Sequence, residues 1–517
     1  MISAKIRQNI PEILKYLLIV VFIIIFSYLS FARHDSLKTY MNDLGAIEQV
    51  IWNTLNGNFF EGSSVMLAGS VDYNYLGAHF GIILILLTPF YWLFSSPKTL
   101  LFIQVFLVGL AGLPLYWLAK EKLKSSWAGM VFLISYLSYP AIQNALLYDF
   151  HEVVLAAPFT IFALYFLEKN KKVPFVVFAV LACLCQEHIA LIFFMVGLYI
   201  IFVKKQKRFG LKVAAAALIW FLLLLGVIMP ALSTSGEPEL IKAETEYYPS
   251  RYAWLGGSLT EVVKNLFTNP SQTLSYIFQY EKIRYLFYLL MPVFGLAVFS
   301  PMVLVALPII GINLLSSINM PYNLYFYHSA IITPMIMVAA ILALKKHFLG
   351  SKYLHYFLAA IVVASLTINY IFSLTPWTAR YSLEDFRPTA HAKKISEIKE
   401  LIPDEASLSI QHNLGSHFTQ RRNIFRFPLS YNEAEYVLLD YTDPYYNNRE
   451  QIFHFDYSLQ MPRNIWFDLT VELINSPDYG VIFFEDGFLL FQKGAARNLN
   501  DQAHSDIFEI IDDGDRL

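Results

Sequence analysis

"HFGIILILLTPFYWLFS", His79 to Ser95, is apolar, rich in aromatics and nearly long enough to cross a bilayer. Whether it crosses decides on which side every later loop lies. The loops themselves supply the test. Basic residues crowd into "KEKLK" (120–124), "EKNKK" (168–172), "KKQKRFG" (204–210) and "KKHFLGSK" (345–352), and the N-terminus adds Lys5, Arg7 and Lys15. If 79–95 stays on one face, all these clusters share a side, as the cytoplasmic enrichment of Lys and Arg requires. If it crosses, "KEKLK" and the clusters after it fall outside, opposite the basic N-terminus. The segment therefore reads as an interfacial or re-entrant helix on the outer face, broken by Pro89 and anchored by Tyr91-Trp92.

The wider composition agrees with a membrane setting. The 517 residues are 56% hydrophobic and 15% charged, with mean hydropathy +0.48, whereas soluble domains are about a quarter charged. Apolar runs near bilayer length recur to residue 373, and no series of short alternating segments suggests a β-barrel. The expected fold is an α-helical polytopic membrane protein with about 11 transmembrane helices. They are placed at 14–32, 99–119, 127–147, 153–167, 173–186, 189–203, 211–230, 285–299, 301–317, 330–344 and 353–373. The first run, Tyr16 to Phe31, exceeds the ~7–15 apolar residues of a signal peptide and reads as a retained helix. A net charge of −2 without a basic tail gives no reason to expect nucleic acid. Cys183 and Cys185 lie in an apolar run without neighbouring ligands and read as small packing residues.

Residues 1–373 form the expected transmembrane domain, with outer loops 33–98 and 231–284, the latter helical near 258–280. Beyond 373 the composition becomes that of a soluble domain. In 374–517, "ISEIKELIP" reads as helix, and "ASLSIQ" and "AEYVLLD" as strands. "YGVIFFEDGFLLFQKG" reads as a hairpin turning at Glu485-Asp486-Gly487, giving a small α/β domain. The charge pattern puts the N-terminus in the cytoplasm and this domain outside the cytoplasmic (inner) membrane.

Ionisable residues gather on the outer side. Asp43 and Glu48 lie in "TYMNDLGAIEQVIWN", with Asp72 and His79 further along the same loop. "YDFHE" carries Asp149, His151 and Glu152; "CQEH" carries Glu187 and His188; "NLYFYHS" carries His328. Polar decoration of exposed loops is the plain explanation. Against it, these groups are embedded in aromatic, apolar helix ends, where ionisable residues serve function.

Several stretches resemble the DUF2079 family of predicted membrane proteins: "NDLGAIEQVIWNTLNG" (42–57), "GAHFGIILILLTPFYWL" (77–93), "LLFIQVFLVGLAGLPLYWLAK" (100–120), "YPAIQNALLYDFHEVVLAAP" (139–158), "CQEHIALIFFMVGLYI" (185–200) and "IPDEASLSIQHNLGSHFTQRRNIFRFP" (402–428). That family in turn resembles GT-C glycosyltransferases in layout. The resemblance implies a polyprenyl-phosphate sugar donor and a loop acid acting as general base, which would be Asp43. A carboxylate placed there can take the proton of an acceptor hydroxyl as it attacks the anomeric carbon. Glu48, five residues on, need not share a face with Asp43 and is a secondary, substrate-binding candidate. Asp149 or Glu187 would be a second outer-face acid, orienting the acceptor or binding a divalent cation, the one cofactor the resemblance allows. His79, His151, His188 and His328 would bind lipid phosphate or carry protons. Arg251, in the aromatic "YYPSRYAW", would contact lipid or sugar. The chain departs from many GT-C families in having no adjacent Asp-Asp or Asp-Glu pair in the loop. In "HNLGSHFTQRRN", a helix would bring His417 and Arg421 onto one face, for ligand or membrane contact or as a capping turn.

The sequence thus supports a hexosyl- or pentosyltransferase acting on a lipid, glycan or protein acceptor at the extracytoplasmic face. A non-enzymatic transporter, or an envelope protein binding lipid or glycan, is the alternative. Transporters, however, show repeats and midplane charges that this chain lacks. A scaffold for envelope assembly is a third reading. Motifs for phosphate-loop, dinucleotide or zinc-protease chemistry are absent.

Overall fold

The structure, a computed structural model, describes residues 2–63, 73–233, 251–441, 455–456 and 461–515. Asp72 and the acids of 237–250 lie outside them. The described residues fall into two compact units. The first draws on Met1–Phe31, Leu76–Lys242 and Ser250–Leu383; the second draws on Ala32–Tyr75 and Glu384–Leu517.

The first unit is helical because a chain in lipid must satisfy its backbone groups internally. Among the described residues five helices are long and apolar enough to cross a membrane: Ile10–Asp35, Pro97–Leu123, Lys207–Leu232, Tyr327–Phe348 and Leu354–Phe372. The pair Ser126–Leu137 and Pro140–Tyr148, bent by 41°, makes a sixth if counted as one span. Lys172–Cys183 and Ile189–Phe202 are shorter apolar helices. Small residues let neighbours approach closely: a Cβ on Gly197 would stand 2.5 Å from the backbone nitrogen of Ala214. One end of this unit is held by ion pairs between helix ends and the turns beside them. Glu168 meets both Lys122 and Lys204 at 2.5 Å, Lys169 meets Glu121 at 2.8 Å, and Lys120 meets Glu12 at 2.7 Å. The basic segments singled out by charge at 120–124, 168–172 and 204–208 are thereby gathered at one end.

His79–Ser95 does not form one helix. It breaks into a 3-10 turn, Ile82–Leu86, and a short helix, Thr88–Leu93. Neither piece can span a bilayer. Ile83 and Tyr91 are buried while Phe90, Trp92 and Phe94 are exposed, giving the one-sided profile of an interfacial segment. The Ile83 N–H donates to the Leu184 carbonyl at 2.9 Å, tying the segment to the turn before Ile189–Phe202.

The continuous span expected at 285–299 is corrected, whereas 301–317 holds one short apolar helix, Pro301–Leu315, that starts as a 3-10 turn. A helix Tyr280–Leu290 gives way to 3-10 pieces, and Phe294 and Gly295 are left-handed, before Leu307–Leu315 resumes. Pro292 and Pro301 cannot donate backbone hydrogen bonds, and Gly295 accepts the left-handed turn without a Cβ penalty. Serines repair the ladder: Ser135 and Ser365 both donate to the Pro292 carbonyl, at 3.1 and 2.6 Å.

The second unit is built on a five-stranded mixed sheet. Its strands are β1 (Leu408–Ile410), β2 (Ile424–Arg426), β3 (Tyr436–Asp440), β4 (Tyr479–Glu485) and β5 (Phe488–Lys493), in the order β2-β1-β3-β5-β4. β1 runs parallel to β2 and β3, whereas β5 is antiparallel to β3 and β4. The β4–β5 hairpin turns at Asp486-Gly487, both with positive φ, as a two-residue hairpin loop demands. Both faces of β3 are buried. Leu438 packs with Leu37, Met41 and Leu414, and Val437 and Leu439 pack with Trp466 and Phe491. Of the two forms left open for 412–423, a helical face or a capping turn, the structure has the turn. That stretch is a loop with one 3-10 turn, Gly415–His417. Arg421 is buried there, donating to the carbonyls of Phe418, Pro403 and Ala406, so its charge is spent closing turns.

Candidate active site

In the first unit, helix ends bring together most of the ionisable residues singled out by sequence. Pro140–Tyr148 stops because Asp149 adopts an extended backbone, and its Oδ1 accepts from the Phe150 N–H at 2.9 Å. The turn is clamped by Gln104, fully buried on Pro97–Leu110. Its amide donates to the Asp149 carbonyl and accepts from the His151 N–H, both at 2.9 Å. Sequence reasoning passed over Gln104. Its signal was there, a lone amide inside "LLFIQVFLVGL".

Glu187 lies in the turn between Lys172–Cys183 and Ile189–Phe202 and is 2% exposed. Its Oε2 accepts from the Phe80 N–H at 3.0 Å. Its Oε1 stands 3.9 Å from His79 Nδ1 and 3.7 Å from His188 Nδ1. Burial pushes the carboxyl up, but hydrogen bonds and charge from His188 and His79 outweigh it. The group is held well below the usual carboxylate range. Glu187 is thus an ionised anchor for the start of the interfacial segment. Beside it, the Gln186 amide donates to Glu152 at 3.4 Å.

The aromatic rings continue the cluster. His151 stacks on Tyr327 with centroids 3.5 Å apart, and Tyr327 stacks on His328 at 4.2 Å. Arg251 Nη1 donates to His328 Nε2 at 3.2 Å, so the His328 proton belongs on Nδ1. That nitrogen is buried and has no hydrogen-bond partner among the described residues. Arg251 is positioned by its neighbours, which are stitched onto 312–317. The Ser317 N–H donates to the Arg251 carbonyl at 2.8 Å and Trp254 Nε1 to the Leu315 carbonyl at 2.8 Å. A second cation escaped the sequence reading. Lys282 Nζ is buried without a hydrogen-bond partner among the described residues, 3.5 Å from the Tyr276 ring centre, and burial pushes its pKa down to about 8.

The second unit holds the two loop acids. Asp43 lies half-buried in a π-helical turn, Met41–Gly45, which leads into the helix Ala46–Leu55. Single π-turns are rare and are found at functional sites. Glu48 is fully buried, its carboxylate accepting from the Thr419 hydroxyl and, at 3.2 Å, from the Gln420 amide. Gln49 donates to the Arg422 carbonyl at 2.8 Å and accepts from the Ser63 N–H at 3.0 Å. His34 stacks on His417, and Tyr40 on His412. No local sequence signal links 48 to 419. The pairing is purely tertiary.

The divalent cation implied by resemblance finds no cage. Among the described residues no group of three or more His, Cys, Asp or Glu is placed to hold a metal ion.

These features define an α-helical polytopic membrane protein of GT-C-like architecture with a small C-terminal sheet. The same architecture is seen in the crystal structure of ArnT from Cupriavidus metallidurans bound to undecaprenyl phosphate. The likeness has a TM-score of 0.52 at 12% identity, over 93% of this chain and 98% of that one, and it is one of fold. The chain belongs to the DUF2079 family of predicted membrane proteins, whose model matches residues 33–466. No curated protein matches its sequence.

Proposed function

We propose that this integral membrane protein is a glycosyltransferase that moves a sugar from a polyprenyl-phosphate donor to a lipid, glycan or protein hydroxyl. The reaction takes place on the extracytoplasmic face of the cytoplasmic membrane, with the N-terminus in the cytoplasm. The observation that carries this reading is the Arg251–His328 pair. It sets a cation and a buried imidazole N–H among stacked rings at helix ends, in a fold whose solved counterpart is bound to undecaprenyl phosphate.

The chemistry assigned is an inverting displacement. The acceptor oxygen attacks the anomeric carbon while a carboxylate, Asp43 by its place after the first span, takes the hydroxyl proton. The bond from sugar to phosphate oxygen breaks and its electron pair leaves with the lipid phosphate. Asp149 and Glu187 hold the turns around the histidines.

Purified protein given a panel of radiolabelled polyprenyl-phosphate sugars tests the proposal. Transfer lost in Asp43→Asn with the fold intact supports it. Undiminished transfer in that variant removes the base assignment. Lipid-phosphate binding without consumption of any donor favours a non-enzymatic lipid-binding protein.

A further inference from the structure

Glu48 raises a question that the donor chemistry does not answer. A fully buried carboxylate is costly unless its lone pairs are met. Here they are met by side chains of Thr419 and Gln420, 371 and 372 positions along the chain. These contacts belong to a larger seat. The Met41 N–H donates to the His412 carbonyl at 3.0 Å, and Arg426 donates to the Asn42 side chain at 3.1 Å. Thr39 and Ser416 share a hydroxyl hydrogen bond of 2.8 Å. Below the turn, a Cβ on Gly415 would stand 2.6 Å from Met41 Cβ, so a glycine is needed for the two backbones to come this close. Every residue from Thr39 to Gln49 whose polar group is named here is held by the segment 412–426. That seat fixes an irregular π-turn, a form that backbone propensity alone does not maintain.

We propose that the 412–426 segment is the positioning element for the Asp43 turn, with Glu48 as its main pin. The C-terminal sheet is then an obligatory part of the transferase, distinct from a separable recognition module. The inference rests on the reading of Asp43 as base, and its physical core can be tested without activity. Glu48, Thr419 and Gly415 act through Asp43 and do not touch the reacting atoms.

The test is hydrogen exchange on the full-length protein in nanodiscs, comparing wild type with Thr419→Val and Gly415→Ala, and with Glu48→Gln as the conservative control. Loss of a hydrogen bond to a buried charge should speed exchange of the 41–47 amides by on the order of tenfold in Thr419→Val. Gly415→Ala should do so independently through the clash with Met41. Glu48→Gln, which keeps an acceptor for Thr419, should retain most of the protection. Strands β1, β3 and β5 should be unchanged. In the transfer assay the same two variants should lower kcat and leave KM for the donor near the wild-type value. Unchanged protection of 41–47 in both variants overturns the proposal. So does a loss that spreads across the sheet, which would mark Glu48 as a general stabilising group. If no donor is consumed even by wild type, the transferase reading fails while the exchange result still decides whether the seat holds the turn.

Discussion

Each unit contains a buried carboxylate, Glu187 in a turn between helices and Glu48 in the first turn of one, and the two are held by different chemistry. Glu187 in the first unit is met by a backbone N–H and two histidines. Glu48 in the second is met by a hydroxyl and an amide, neither of which titrates. The contrast suits the proposed roles, an anion-binding cluster in the first unit and a seat for a base in the second.

The largest test of this contrast is a crossed pair of variants. Asp43→Asn in the second unit should lower sugar transfer by about 10²–10⁴-fold, the usual contribution of a general base, and leave lipid-phosphate binding intact. Arg251→Met in the first unit should do the reverse in emphasis. It should weaken undecaprenyl phosphate binding, measured by native mass spectrometry, by roughly ten- to a hundredfold through loss of a charge-assisted contact. If both variants lose binding equally, the division of labour between the units is wrong.

The two units should also answer pH with opposite signs. The Glu187 carboxyl is held below its ordinary value, so its stabilisation is fully present above the unfolded-state pKa of about 4.3 and is lost as pH falls through the folded value. Glu187→Gln should therefore lower Tm by about a few degrees near neutral pH. Its deficit should shrink only in strong acid. In the second unit, burial lowers the pKa of His391, but bonds and charge from Asp440 and Asp486 outweigh it and leave the pKa raised. Its Nε2 lies 3.0 Å from Asp440 and its ring stacks on Phe488. This contribution is complete below about pH 6.5 and fades as pH rises through the folded value. Replacing His391 with Gln should cost on the order of one degree at mildly acid pH and less in alkali, the smallest effect of the set. A deficit that grows with pH would reverse the sign and refute the assignment.

Much of the architecture is legible in the residues because bilayer and turn physics act locally. Long apolar runs become helices, and "FFEDGFLL" announces its hairpin through Asp486-Gly487. The reading of His79–Ser95 as non-spanning came from charge bookkeeping across distant loops. The failures have a common cause. Hydropathy predicts a helix over 285–299, although Pro292 and Gly295 break the ladder and serines from two other helices take over the freed carbonyl. For 412–423 the spacing leaves a helical face and a capping turn both open. The polar groups of that stretch are spent on turns and on residues 34–49, a partnership no window of sequence contains. The histidine cluster was visible as helix-end chemistry, whereas the clamp by Gln104 and the seat for Glu48 were not.

The double bond of Glu168 to Lys122 and Lys204 also bears on how the chain is assembled. Lys122 and Glu168 stand at the ends of two helices and Lys204 in the turn after a third, and Glu168 is nearly sealed from solvent. Breaking such a buried pair costs about 3–5 kcal/mol. One carboxylate thus ties three stretches of the chain, 46 and 36 residues apart, into a single knot at this end of the first unit.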